Sequence, residues 1–457
     1  MKWNFKKAIS MFLITIMMLT FVACDQRDTV AEEGNASTTE VKRNSSVKED
    51  KKDESPEEIE TFSVLMFTEW YKKGWEAVEA EIEDNAESLG FKLEIEKIAG
   101  SQQGDQIMKT RFAAGEYPDF FEYQSAYDVE MKLGGRQQIQ DISGDWVENF
   151  DSALLGSQFY SYDDTIVGMP IDPAVLVGTF YNKKVFEEVG VEVPTSWEEL
   201  MAVCEEIKQA GKVPFYYPGK DTWALTMVLN EGFIREYAVT PEKELYEKLN
   251  SNQLHFSELE LLKDALVKDK SIIDKGYVQP AFLSGTYDEE QKALANGDVA
   301  MIFQGTWVMD EINKKFPDQA TDIGAFAIPF EDEGRSSQFA PFAFMMTAGC
   351  DKDAGMNVIE YLGSKDTQQL FADNQPGLWT CKGVTSDLLP AVADMKKWQD
   401  EGKVNIWYGN QFKYPSPPFD IYIQDYFAGG REVEEIFTAA DIEYGKTAKA
   451  SGDPNWK

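Results

Sequence analysis

The stretch that most constrains this chain runs from Thr61 to Tyr123, where the spacing of apolar residues switches between two periods. Phe62, Val64 and Met66 alternate with Ser63, Leu65 and Phe67, a strand with both faces largely apolar. Trp75, Val78, Ile82, Ala86 and Leu89 then recur at helical spacing. Phe91, Leu93 and Ile95 alternate with Lys92, Glu94 and Glu96 as a second strand. Asp105 to Ala114 is helical up to Gly115, and Pro118 to Tyr123 is a third strand. Strands alternating with helices predict an α/β fold, a parallel sheet with helices on both faces.

A second stretch shows where such a fold could hold a ligand. Glu290 to Ala295 reads as a polar helix and Asn296-Gly297-Asp298 as a turn, because Asn and Gly tolerate positive φ at little cost. Val299-Ala300-Met301-Ile302-Phe303 is apolar throughout and too short for a buried helix, so it predicts a buried strand. Gln304-Gly305-Thr306-Trp307 follows, and Val308 to Lys314 is helical again. In open α/β sheets, ligands lie beyond the carboxyl ends of strands, at strand-to-helix turns of this kind. Gly305 lets backbone come close there, and Trp307 stands where it could wall a pocket.

Length and charge narrow the classes. At 457 residues the chain exceeds one ordinary core and suits two lobes. A formal net charge of −36 repels nucleic-acid phosphates and anionic lipid, so no nucleic-acid partner is expected. The one histidine, His255, reads as a surface residue, which removes most metal sites and most histidine acid–base chemistry. No metal and no cofactor is expected. Cys24, Cys204, Cys350 and Cys381 show no C-x-x-C spacing, which argues against a zinc ribbon or a thioredoxin-type site.

Met1 to Ala23 begins with Lys2, Lys6 and Lys7 and continues as an uncharged, mostly apolar run. That run is too short for a comfortable membrane span of ~20 residues and reads as a signal peptide. It closes on Phe21-Val22-Ala23-Cys24, which resembles the bacterial lipobox with Phe21 in place of the usual Leu. The resemblance implies lipidation of Cys24, with palmitate among the acyl groups; the alternative is an uncleaved anchor helix. Either way the protein ends outside the cytoplasmic membrane, tethered to its outer face. Asp25 to Glu60 has no aromatic residue and no Leu, so it cannot bury enough surface to order itself. Residues 24–60 are therefore expected to form a disordered tether with a reach of roughly 30 Å.

Several motifs, in order, carry a family resemblance. Ala293-Leu294-Ala295-Asn296-Gly297-Asp298-Val299-Ala300-Met301 followed by Gly305-Thr306-Trp307 resembles the A-x-x-x-G-x-x-A-M-x-x-x-G-x-W pattern of sugar-binding, family 1 extracellular solute-binding proteins of ABC importers, related to maltose-binding protein. Gly115-Glu116-Tyr117-Pro118-Asp119 is similar to the G-x-x-P-D of that family, and Val167-Gly168-Met169-Pro170 to its Y-G-x-P, with Val for Tyr. Tyr181-Asn182-Lys183-Lys184-Val185-Phe186 and Val193-Pro194-Thr195-Ser196-Trp197-Glu198-Glu199-Leu200 resemble Y-N-K-x-x-F and P-x-T-W-x-E-L. Read locally, Thr195 N-caps a helix, Glu198 completes a capping box, and Trp197 and Cys204 are core. Asp221 to Leu229 and Glu242 to Lys270 are helical by period, and Gln338 to Thr347 resembles the strand that returns to the first lobe.

The resemblance implies a two-lobed periplasmic-binding-protein-like fold, each lobe a mainly parallel sheet flanked by helices, with the ligand cleft between them. The expected lobes are 61–172 plus 343–385 and 173–342 plus 386–457, with crossovers near Asp172, Phe342 and Thr385. It implies a monomer that captures a neutral sugar or oligosaccharide without catalysis and delivers it to permease subunits in the membrane. Sugars stack a C–H face on aromatic rings and present a hydroxyl rim to carboxylates and amides. Trp307, Trp223, Trp70, Tyr123, Trp379 and Phe419 are the candidate rings, and Asp172 and Gln304 the candidate polar partners. Each has a competing reading, core packing for the rings and a hinge turn with Pro173 for Asp172. Cys350 and Cys381 fall in the first lobe, where free buried thiols are favoured over a disulfide. Two alternatives remain open: a secreted glycoside hydrolase working through paired carboxylates, and the same fold binding another solute. With only seven Arg in the chain, a carboxylate-bearing solute is the weaker choice.

Anchoring is directly testable. A Cys24→Ala variant should lose lipid labelling in cells and be secreted or remain unprocessed; unchanged lipid incorporation would contradict the lipobox reading.

Overall fold

The computed structural model describes residues 59–330 and 335–457, all within one unit, Glu57–Lys457. The signal peptide, Cys24 and all but the last two residues of the expected tether lie outside the described residues. Glu60, assigned by the sequence to the tether, already belongs to the first strand.

Thirteen strands are present among the described residues. They are β1 (Glu60–Phe67), β2 (Phe91–Ile98), β3 (Phe120–Tyr123), β4 (Ser161–Tyr162), β5 (Thr165–Ile166), β6 (Met169–Pro170), β7 (Val175–Asn182), β8 (Val213–Phe215), β9 (Val299–Gly305), β10 (Ile323–Phe326), β11 (Ser336–Phe339), β12 (Ala343–Met346) and β13 (Val404–Ile406). Two sheets organise them, with β4 and β5 as a separate hairpin. The first has the order β2-β1-β3-β12-β6, and the second β13-β11-β7-β9-β8 with β10 also on β7.

The expected β-α-β-α-β unit is present: β1 lies between β2 and β3 and is parallel to both. The sheets as wholes are mixed, which corrects the mainly parallel expectation. In the first, β12 runs antiparallel to β3 and β6. In the second, β7 runs antiparallel to β9, β10 and β11. A strand covered on both faces reads as one apolar run whatever its direction, so the pattern carries burial but not polarity.

The chain passes between the sheets three times. Ile171–Ala174 links β6 to β7, and Ala340–Phe342 links β11 to β12. Gln338–Thr347 is thus two strands in two sheets rather than one. The helix Lys365–Asn374 packs on Lys73–Asp84 beside the first sheet, whereas Pro390–Asp400 packs on β10 of the second. One hydrophobic core holds residues of 62–171 and 343–381. Two more sit on the second sheet, one around Phe233, Phe256 and Phe412, the other around Phe180, Ile302 and Val308. Cys204, Cys350 and Cys381 are buried and unbonded.

Local corrections have local causes. The helix Trp197–Gln209 is capped by Ser196, whose hydroxyl accepts from Glu199 N, while the Glu199 carboxylate accepts from Thr195 N and Oγ1. The expected Thr195–Glu198 box is therefore displaced by one residue, because either hydroxyl neighbour can serve as the cap. Asp221–Leu229 starts as a 3₁₀ turn, Thr222–Thr226, before the α-helix Met227–Glu236. The run Glu242–Lys270 is two helices, Glu242–Asn250 and Glu260–Asp274, parted at Asn252 with φ of 60°. His255 caps the intervening turn with Glu258.

The cores bury several carboxyls. Burial pushes Glu122 up to about 8, with Asp172 adding to it, and pushes Glu231 to about 8 and Asp269 to about 7. Unfolded, these groups titrate near 4. Each therefore contributes stability that is present below about pH 4 and is lost as pH rises through 7–8. Paired carboxyls such as Asp264, where Lys268 and Arg235 outweigh burial, act oppositely but only below about pH 4. The melting temperature should consequently be higher at pH 5.5 than at pH 8.5, and a Glu122→Gln variant should narrow the difference. A higher melting temperature at pH 8.5 would contradict this.

Candidate functional site

The site begins with how β9 ends. Gly297, with φ of 73°, closes the helix Tyr287–Asn296 and turns the chain into β9, whose seven residues are all buried. At the far end Thr306 N donates to Leu176 O at 3.0 Å, and Thr306 Oγ1 accepts from Leu176 N at 3.2 Å. These bonds fasten the end of β9 to the start of β7, beside the first crossover. A Cβ at Gly305 would lie 2.7 Å from the Trp307 ring and from Val175, so only glycine lets the indole lie this close to the strand. The helix Trp307–Lys315 starts at once, with Trp307 half-buried on its first turn.

Trp307 is the middle of a row of rings. Trp223 lies 6.0 Å away, edge-on, and Tyr287 lies 5.1 Å beyond Trp223. On the other side Phe339 is 5.4 Å from Trp307 and stacks on Trp407 at 4.9 Å. Trp407 Nε1 donates to Asn230 Oδ1 at 3.0 Å, which turns its polar edge inward. Such rings keep their polar atoms satisfied and leave apolar surface to a ligand. Trp223 is 41% exposed. The first sheet brings Trp70, half-buried, with its ring 4.2 Å from Phe342.

Beneath Trp307 is a crevice of about 20 Å³ lined by Lys72, Asp172, Thr306, Trp307 and Asp310 among others. Ligand pockets are typically about 300–1,000 Å³, so this crevice is the floor of a site, not a site in itself. Lys72 follows β1, Asp172 lies in the first crossover, and Asp310 is on the Trp307 helix. Lys72 Nζ is 3.1 Å from Asp172 Oδ2 and 4.0 Å from Asp310 Oδ2. Burial lowers the Lys72 ammonium, but Asp172 and Asp310 outweigh it and hold the group above its usual range. Burial pushes Asp310 up to about 7 against the pull of Lys72. Gln375 Nε2 also donates to Asp172 Oδ1.

The structure thus brings together Trp307, Trp223 and Asp172, with Trp70 on the first-sheet side. Of the remaining candidates, Phe419, Tyr123 and Gln304 are buried, while Trp379 packs on the first-sheet side. Phe419 is 1% exposed and sits in the second-lobe core, 6.2 Å from Phe233. Tyr123 is fully buried behind Trp70 and donates to Asp105 Oδ1 at 2.6 Å. Gln304 is fully buried behind Trp307. Trp379 is half-buried, stacked on Phe371 at 5.6 Å, and donates to Gln375 O at 2.9 Å. Lys72, Asp310, Tyr287, Phe339 and Trp407 were missed. Asp310 had a signal, since it stands three residues after Trp307 on one helix face. Lys72 reads as one of two solvated lysines, while Phe339 on β11 and Trp407 just after β13 are remote in sequence from Trp307.

Residues 74–369 match the profile of the family described as bacterial extracellular solute-binding protein. The multiple sugar-binding protein of Streptococcus mutans is 22% identical over 355 residues, covering 75% of this chain and 81% of that protein. Among solved structures, apo RafE from Streptococcus pneumoniae aligns with a TM-score of 0.70 at 20% identity, over 86% of this chain and 99% of that one. RafE in complex with raffinose aligns at 0.71 and 22%, over 85% and 99%. At these identities the structural likenesses establish a shared two-lobed fold. With well over half of its length matched by the family profile, this chain belongs to the bacterial extracellular solute-binding proteins.

Proposed function

We propose that this chain is the substrate-binding component of an ABC importer, holding a neutral oligosaccharide between two lobes and passing it to membrane permease subunits unaltered. The observation that most supports this is the cluster Tyr287–Trp223–Trp307–Phe339–Trp407, because half-exposed rings packed mostly edge to face leave apolar surface on which sugar units can stack. Asp172, Asp310 and Lys72 are placed to meet hydroxyls at the floor. Asp172 already pairs with the Lys72 ammonium, and no arginine lines that floor to pair with an anionic solute. The relatives named for sugar or raffinose binding favour the same class. Of the sequence candidates, Trp307, Trp223, Trp70 and Asp172 stay in the proposed site, with Lys72, Asp310, Phe339 and Trp407 added. The proposal extends to a lipid anchor at Cys24 on the outer face of the membrane, a tether from there to the start of β1 at Glu60, a monomeric state, and lobes divided as 60–172 plus 343–385 and 173–342 plus 386–457.

Thermal-shift measurements on the purified protein check the ligand class. Neutral tri- and tetrasaccharides, raffinose among them, should raise the melting temperature. Uronate oligosaccharides should not, and no reducing sugar should be released. A shift confined to anionic ligands would overturn the assignment.

Trp307→Ala tests the site itself. Stacking adds ~0.5–1.5 kcal/mol beyond the area buried, and ~60–80 Å² of shared apolar surface adds ~1.5–2 kcal/mol. Calorimetric titration should show binding weakened by roughly 30- to 400-fold. A large fall in melting temperature with affinity unchanged would make Trp307 a packing residue.

A further inference from the structure

Trp307 is held from behind by a chain of two hydrogen bonds that ends on a buried acid. Its indole Nε1 donates to Gln304 Oε1 at 3.0 Å, and Gln304 Nε2 donates to Glu290 Oε2 at 2.8 Å. Gln304 and Glu290 are both fully buried. Glu290 owes its position to the cap of its helix. Thr286 and Glu289 form a capping box, so Glu289 faces the helix start while the next residue turns into the core. The other oxygen, Glu290 Oε1, has no hydrogen-bond partner. Glu290 also borders a cavity of about 10 Å³ with Ala224 and Leu225, which directly follow Trp223.

The chemistry of the three groups fixes the polarity of the chain. An indole N–H only donates, so the side of Gln304 that meets it has to be the amide oxygen. The amide NH₂ must then find an acceptor in a place without water, and Glu290 Oε2 is that acceptor. A flipped amide would set NH₂ against N–H, donor against donor. Glu290 Oε2 accepts whether Glu290 is ionised or carries a proton on Oε1, so the arrangement needs no particular charge state.

We infer that Glu290 is a positioning residue for the ligand-facing indole: through Gln304 it fixes the orientation in which Trp307 offers its ring. This rests on the proposed role of Trp307 as a sugar-stacking wall. Glu290 itself is out of reach of ligand. The acid thus contributes to sugar affinity without touching the sugar, and an apolar residue of similar size at 290 would leave Gln304 free to turn.

The experiment uses the full folded chain labelled with ¹⁵N-tryptophan, in which the Trp307 indole N–H resonance is identified by its loss in Trp307→Phe. Glu290→Met should shift that resonance and speed its exchange with solvent. Glu290→Gln, whose amide oxygen can accept as the carboxylate did, should restore it. Raffinose is the affinity probe. Glu290→Met should weaken its binding by roughly 2- to 10-fold, the effect of one neutral hydrogen bond, and should have no effect in the Trp307→Phe background. Should Glu290→Met fail to fold, Gln304→Met breaks the same chain and should show the same resonance change. An unmoved Trp307 resonance in a folded Glu290→Met or Gln304→Met variant would overturn the inference. So would equal losses of raffinose affinity in the wild-type and Trp307→Phe backgrounds. A moved resonance in a protein that binds no raffinose would uphold the relay and count instead against the sugar-binding reading.

Discussion

The proposed ligand wall rests on the two hydrogen bonds between Thr306 and Leu176. They join the last step of β9 to the first step of β7, where the chain has just crossed from the first sheet. The end of a buried strand, the beginning of the Trp307 helix and the first crossover are thereby fixed to one another. Gly305 allows the indole to lie against this junction, where any side chain would collide with it. The ring is therefore held by rigid elements on both sides, and a binding surface built this way loses little freedom when a ligand arrives.

The floor beneath the ring is electrostatic. Lys72, Asp172 and Asp310 come from the loop after β1, the crossover and the Trp307 helix, so their attraction spans the parts that would move in a hinge closure. Asp172 and Asp310 flank one ammonium, and burial pushes Asp310 up to about 7. In the proposed site, the rings above would meet the flat apolar faces of sugar units.

The parts legible in the sequence were those encoded locally. The β1–β3 unit, the buried run of β9, the turn at Gly297 and the placing of Trp307 after Gly305 all follow from residues within a few positions of each other. Strand direction was not legible, since β7 and β12 are as apolar as parallel strands yet run against their neighbours. The ring row was half legible: Trp223 and Trp307 stand in recognisable loops, but Phe339 and Trp407 join them only because β11 meets β7 and β13. Lys72 was invisible for the same reason, its partners lying 100 or more positions away. Phe419 and Tyr123 show the opposite failure, for an aromatic residue after a strand or before a helix looks the same whether it fills a core or lines a cleft.

In the proposed function, a neutral oligosaccharide is enclosed between the lobes by bending at the crossovers. Small-angle X-ray scattering on the purified protein, with and without saturating raffinose, tests it most directly. The radius of gyration should be smaller with the sugar bound. An unchanged radius under conditions where calorimetry shows the site filled would contradict it.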